Sequence, residues 1–535
     1  MRTALWVLAL ALPAWAQGRP SELELFGDDA AADAGMAAPA ERPAEDALFG
    51  GGDEPAKDVP APAGGSDARD LGALFGKAAT SKFDTGEVVS DALKVGGTLN
   101  LFLQGFWQEG RRFEDGSLSA PALFDLYLDG RPNERVRGFV GVRLQYDPTR
   151  PSDGAGSGAA TTAGSGSLVG LTLAPPQNPA LFVDQLWLRF DIARKVFLTV
   201  GRQKVRWGVS RIWYPTDFLN SRPRDALNPF DVRLGVNMVK VHVPVESLGW
   251  NFYAYGLLDS VTVGANGVTL GQLGGAVRGE FVLGKAELGL GGVWQQGRRP
   301  RYAIDLSSAL GPVDVYAEAA FRDARDFVLF RYPDDLNATN LVQRLSSIEP
   351  YRPTGLLVQV SGGVSWQFNY TDKNFAILTA EYFYNPAGYG DPVGYQVKTF
   401  GPALYGVALD PIQSIGLYGG RHNVALNLAA PGIPGFDWIT VSLSNIVIVN
   451  DPAAITRLDL IFRVLNYLSV QAFAGLLVGQ PGGQVRFQVS SQVINDVANL
   501  SEAVEPGSGA ALRSSLGLLR FAPLLQGGVL LRLAI

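Results

Sequence analysis

The sequence predicts an all-β fold, a transmembrane antiparallel β-barrel of about 18 strands (roughly 16 to 20) behind a disordered N-terminal arm. Three observations point there. Most of the chain alternates apolar and polar side chains with a period of two, and its connections alternate between short and long. The third is composition: 535 residues with 64 Gly and only 18% charged residues, against about a quarter charged in an ordinary soluble protein. No stretch reaches the ~18 consecutive apolar residues of a spanning helix, so a crossing has to be made by strands. The chain has no cysteine, which excludes disulfide frameworks, thiolate metal sites, iron–sulfur clusters and thiol catalysis.

Taken in order, residues 1–16 read as a secretory signal. Arg2 is the basic head, Ala4 to Leu12 the apolar core, and Ala14-Trp15-Ala16 a small-residue cleavage site that puts the mature start at Gln17. Residues 17–93 are the arm. Sixteen acidic residues there stand against six basic ones, whereas from Lys94 onward 38 basic face 35 acidic, so the acidity of the chain belongs to the arm. Its Ala, Gly, Pro and acidic composition cannot bury enough apolar surface to offset the entropy of ordering it. A triplet recurs in it: Leu25-Phe26-Gly27, Leu48-Phe49-Gly50 and Leu74-Phe75-Gly76, each with acid upstream. Three Leu-Phe pairs in tandem suit docking to a periplasmic protein, where repetition raises effective concentration; a decaying repeat without a partner is the alternative.

Residues 94–535 form the barrel domain. From Val358 to Asn369 one parity holds Val358, Val360, Val364, Trp366 and Phe368, and the other Gln359, Ser361, Ser365, Gln367 and Asn369. Successive strand side chains point to opposite faces, so one face is apolar and the other polar. Thr98–Gln108, Val136–Tyr146, Val315–Phe321 and Ile455–Val464 behave alike. A soluble β-sandwich alternates too. Against it stand polar faces rich in Gly, Ser, Gln and Arg, and aromatic residues near strand ends (Trp107, Tyr146, Trp250, Trp294, Trp366, Tyr370). Short links such as 193–195 and 371–374 alternate with long ones near 148–180, 206–231, 322–354 and 386–411, the plan of an outer-membrane barrel with short periplasmic turns. A reading with twenty strands makes 495–509 an oddly long periplasmic turn, which favours eighteen.

A charge facing lipid at mid-membrane costs roughly 2–4 kcal/mol, so strand-borne charges are expected to face the lumen. Arg135, Arg137 and Arg143 form one such set, Arg278 and Glu280 another, Arg457 and Arg463 a third. They either tune the field of a pore or form an ion-pair lattice that stiffens the wall. Between Gly201 and Arg233 the chain is dense in bases, Arg206, Arg211, Arg222, Arg224 and Arg233 among them, with Asp217 as one of three opposing acids. A loop of this kind folded inward would draw anions; the same charges could instead pair and pin the loop.

Within that stretch, Gly201-Arg202-Gln203, Trp207-Gly208 and Pro215-Thr216-Asp217 resemble the alginate-export-type and related outer-membrane porins of Gram-negative bacteria. The likeness covers about forty residues, with strand patterning alone elsewhere. It implies a monomeric or weakly oligomeric barrel of 16 to 18 strands that passes solutes, anionic sugars in some cases; for an outer-membrane barrel the arm is expected in the periplasm. The end of the chain, Gly527-Gly528 followed by alternating Val529, Leu531, Leu533 and Ile535, resembles the C-terminal signal read by the barrel assembly machinery, with Ile where that signal has Phe. Lipid, that machinery and a periplasmic protein are the expected partners; nucleic acid and cofactors are not. Enzymatic readings lack a constellation. The two histidines, His242 and His422, have no metal-ligand spacing and no nucleophile beside them, and no carboxylate cluster offers a Ca²⁺ site. The competing expectation to a channel is a plugged barrel that anchors the arm.

Overall fold

A computed structural model describes residues 93–534 except 134, 150–177, 221–223, 225–226, 228–232, 234, 259–272, 337–346, 373, 406–408, 411–412, 414–415, 489–490, 492–493, 496–498 and 500–520. The signal, the arm with Leu25, Phe26, Leu48, Phe49, Leu74 and Phe75, and Arg222 lie outside the described residues.

The strands run in order β1 (Leu93–Gln108), β2 (Ser117–Ser119), β3 (Ala122–Asn133), β4 (Val136–Tyr146), β5 (Ala180–Ile192), β6 (Val196–Gln203) and β7 (Val236–Val245). Then come β8 (Trp250–Leu257), β9 (Gly274–Leu283), β10 (Ala286–Gln295), β11 (Arg301–Leu310), β12 (Val313–Asp323), β13 (Leu329–Arg331) and β14 (Glu349–Tyr351). The last are β15 (Leu356–Asn369), β16 (Phe375–Tyr384), β17 (His422–Ile433), β18 (Phe436–Ile448), β19 (Ala453–Leu465), β20 (Leu468–Val478) and β21 (Pro523–Ala534), with helix α1 (Pro392–Tyr405) between β16 and β17. β2 and β3 both pair with β1 and are one wall strand interrupted at Pro121, which has no N–H to give. β13 and β14 pair only with each other. The remaining strands make a closed antiparallel barrel of eighteen, sealed by β1 against β21 with Thr98 opposite Ala534 and Trp107 opposite Leu525. Closure leaves no backbone edge unpaired, as a sheet in hydrocarbon requires.

The alternation runs apolar-out. On β1 Leu101 and Leu103 are 44% and 49% exposed, while Asn100 and Gln104 on either side of them are 2% and 3%. A soluble sandwich buries its apolar set; here the apolar set is the outer one, all round the barrel. Exposed aromatics collect at both rims: Tyr146, Trp294, Tyr302 and Tyr382 at one, Trp366, Tyr370, Phe436, Trp438 and Tyr467 at the other. One end carries only tight turns, such as 193–195, 284–285 and 434–435, together with Leu93 and Ala534; the long connections share the opposite end. They extend further than the sequence suggests, 204–235 and 385–421 for example, because loop residues near the wall turn inward without joining its ladder of strands. The connection between β20 and β21 starts and ends at the long-loop end, and most of 495–509 lies outside the described residues.

Long loops fill much of the interior there. One buried apolar cluster joins Ile212, Trp213 and Tyr418 to Phe383 of β16, Ile446 of β18 and Ile455 of β19. A second joins Trp207 and Phe218 to Met238 of β7, Tyr255 of β8 and Val293 of β10. In β5 a bulge turns Asp184 and Gln185 both inward, opposite the Gly141/Val142 step of β4, and the outward parity resumes at Leu186.

Candidate functional site

The candidate site is the inner wall and the loop 204–235 that crosses it. The loop leaves β6 at two glycines that no other residue can replace without strain. Gly201 has φ +124° and a Cβ on it would collide with the carbonyl oxygen of Leu186; Gly208 has φ +95° and its Cβ would strike the Glu318 carboxylate and the Thr216 hydroxyl. These are the glycines of the sequence motif, and their reason is steric.

The motif's Asp217 closes the loop on itself. It accepts from the Trp207 backbone N–H (3.4 Å), from Asn220 Nδ2 (2.8 Å) and from Arg233 Nη1 (3.0 Å). Burial pushes its carboxyl above the ordinary range, and Arg233 pulls the other way. Arg233 and Asp217 therefore pin the loop. Two tryptophans anchor it at separate places. Trp207 lies beside Gly291 of β10, with the Arg278 guanidinium 5.6 Å from its ring centroid. Trp213 stacks on Phe383 of β16 (5.7 Å) and donates Nε1–H to the Leu417 carbonyl (2.9 Å).

Between those anchors and just beyond the second, backbone N–H groups point at two wall carboxylates. Val209, Ser210 and Thr216 donate to Glu318 of β12 at 2.8, 3.1 and 3.4 Å. Arg211, Ile212 and Trp213 donate to Glu381 of β16 at 2.8, 3.2 and 2.8 Å. Tyr316 and Ser361 hydroxyls complete the Glu381 shell at 2.9 and 3.0 Å. Of the bases expected in the loop, Arg206 lies over the Tyr214 ring and Arg211 lies over Tyr316, 3.8 Å from Asp314. Arg224 is half-buried in the same loop.

The strand-borne charges divide. Arg137 bonds Asp129 (2.8 Å), and Arg143 bonds Asp125 (2.6 Å) and reaches Asp184 (3.8 Å), which also holds Lys204 (2.8 Å). Arg278 is buried between Glu280 (2.9 Å) and Asp305 (2.8 Å). Arg457 pairs with Asp459 (2.6 Å), donates to the Leu227 carbonyl of the loop (2.6 Å) and lies over Phe473. Arg463 keeps the inward parity near the tight-turn end of β19 and is half-buried. Arg135 is a correction. It sits in the turn before β4, its side chain 55% exposed, bonded to Asp191, and so belongs to the rim and not to the lumen. A turn breaks the strand parity that groups it with Arg137.

The partners Asp125, Asp129, Asp184 and Asp305, like Glu318 and Glu381, do not stand out from the other polar residues in the sequence. An acid on the polar parity of a membrane strand is a usable signal for inward placement. Its partner, 108 or 170 residues away along the chain, is not.

No family model matches the chain, and no curated protein matches it. Solved structures do. A mutant of the Rh. blastica porin aligns over 83% of this chain and 100% of its own, at 10% identity and a TM-score of 0.35. Pseudomonas putida OprB aligns over 83% and 94%, at 10% identity and 0.43. Acinetobacter baumannii OccAB4 aligns over 83% and 98%, at 8% identity and 0.43. The barrel itself rests on its own closed ladder of strands.

Proposed function

We propose that this chain is an outer-membrane channel of a Gram-negative bacterium that passes small polar solutes, anionic ones preferentially, with its arm in the periplasm. The uneven lining of the inner wall carries this reading. From β7 round to β20, wall residues near the long-loop end pack against inward-folded loops. From β21 through β1 to β5, the inner wall carries Asp125–Arg143, Asp129–Arg137 and Asn100–Arg532 pairs, with one small apolar cluster of Phe102, Phe473 and Leu530, and the inward loop reaches it at Lys204–Asp184. A wall of paired polar groups suits an off-axis aqueous path, where selectivity follows from radius and from the field of the lining. Arg206, Arg211 and Arg224, carried on the loop opposite, supply a positive bias.

Planar-bilayer recording under a KCl gradient tests the reading. The expected outcome is discrete ion currents with anion preference that turns toward cations when Arg206, Arg211 and Arg224 are changed to Glu. A barrel that carries no current overturns it in favour of a membrane anchor. The observation behind that second reading is the triple Leu-Phe-Gly repeat, on an arm that joins the barrel at the tight-turn end. Its mark would be a periplasmic partner captured by residues 17–93 and lost when Phe26, Phe49 and Phe75 are changed to Ala.

A further inference from the structure

We propose that Glu318 and Glu381 are the positioning residues that hold the loop segment 204–220 across the lumen, and that their hold fixes the cross-section of the path. The inference rests on the channel reading for its second half alone.

Both carboxylates project inward, from β12 and β16, with β15 between them, and each is 2% exposed. Among the described residues neither pairs with a basic side chain. An ionised carboxylate removed from water without a counter-charge is costly unless several donors converge on it. Here the donors are main-chain N–H groups of the loop, three for each carboxylate. Five of the six come from consecutive residues, Val209 to Trp213, a run of amides aimed to one side that elsewhere in proteins makes a seat for a free anion. In this barrel the wall itself supplies the anions.

Loop and carboxylates therefore depend on each other. With the loop away, both acids face an open lumen; with each acid replaced by a neutral amide, one oxygen still accepts while the N–H₂ faces the remaining loop N–H donors in a dry interior. Gly208 shows how close the seat is, since any Cβ there meets the Glu318 oxygen. The apolar anchors, Trp207 and Trp213, bracket this seat but do not replace it: they fix where the loop touches the wall, while the carboxylates fix the path of the backbone between them.

Exchange of carboxylate for amide separates the two contributions, because Glu→Gln keeps the volume and presents an N–H₂ to N–H donors. The native chain lacks cysteine, so a spin label can be placed at Arg211→Cys alone. In the doubly substituted E318Q/E381Q barrel the label is expected to become mobile. Single-channel conductance should rise by roughly twofold, with a larger cut-off for neutral polyethylene glycols, as the path widens. The heat-dependent shift of the barrel on a gel should stay as in the parent, a readout that a merely structural role would move. Should that variant fail to assemble, G208A attacks the seat from the loop side with both acids intact, and the same three changes are expected. Label mobility, conductance and cut-off all equal to the parent's would overturn the proposal. A parent barrel that passes no current refutes the channel reading instead, and label mobility then decides by itself whether the acids hold the loop.

Discussion

Asp217 shows how one residue can serve a loop through its environment. Burial raises its carboxyl, so the folded loop binds that proton more readily than the open chain does. A group whose folded value is raised contributes a docking stability that grows as pH falls from that raised value to the ordinary carboxylate value, and is lost as pH climbs back. The Arg211→Cys label should therefore lose mobility over that window in the parent. The slope should shrink in D217N, whose neutral amide holds the loop near its low-pH level throughout; an unchanged slope would show that another group titrates. Part of this was legible in the sequence. Gly201, Trp207, Gly208 and Asp217 stand out as a motif, and the pairing of Arg233 with Asp217 was one of the two roles open for those charges. Glu381 was not legible, because nothing local distinguishes a carboxylate that seats a loop from one that faces water.

At the scale of strands and loops, the binary pattern carries nearly everything. Strands such as β4, β12, β15 and β19 contain the alternating segments read from the sequence, since a lipid-facing side chain has one environment and a lumen-facing one another. Leu101, midway along β1 and outward, tests this directly. L101R should lower folding stability in lipid vesicles by about 2–4 kcal/mol, measured by denaturant titration, the cost of a cation at mid-membrane. A neutral result would mean that this face does not meet hydrocarbon. Helix α1 was missed. Gly394, Gly401 and Pro402 lie within Pro392–Tyr405 and argue against a helix on propensity. Tyr395 and Val397 are buried, and Gln396 bonds the Gly482 carbonyl of another loop (3.2 Å), so tertiary packing overrides the local preference. The inward reach of the loops was equally hidden, for it depends on wall residues far away in the chain.

For the molecule as a whole, the closing seam is the telling feature. Thr98 lies opposite Ala534, so the first and last strands are neighbours although they are the most distant in sequence. Chain order is then a convention of where the ring happens to be cut. A short linker from Ala534 to Leu93, with a new opening at Gly284-Lys285, replaces one tight turn by another on the same rim and leaves every ladder pairing intact. Such a rearranged chain, refolded in detergent, is expected to reach the same heat-modifiable form and the same conductance as the parent without its arm. It would exchange which strand is synthesised last, so that β9, and no longer β21, is the one that completes the circle.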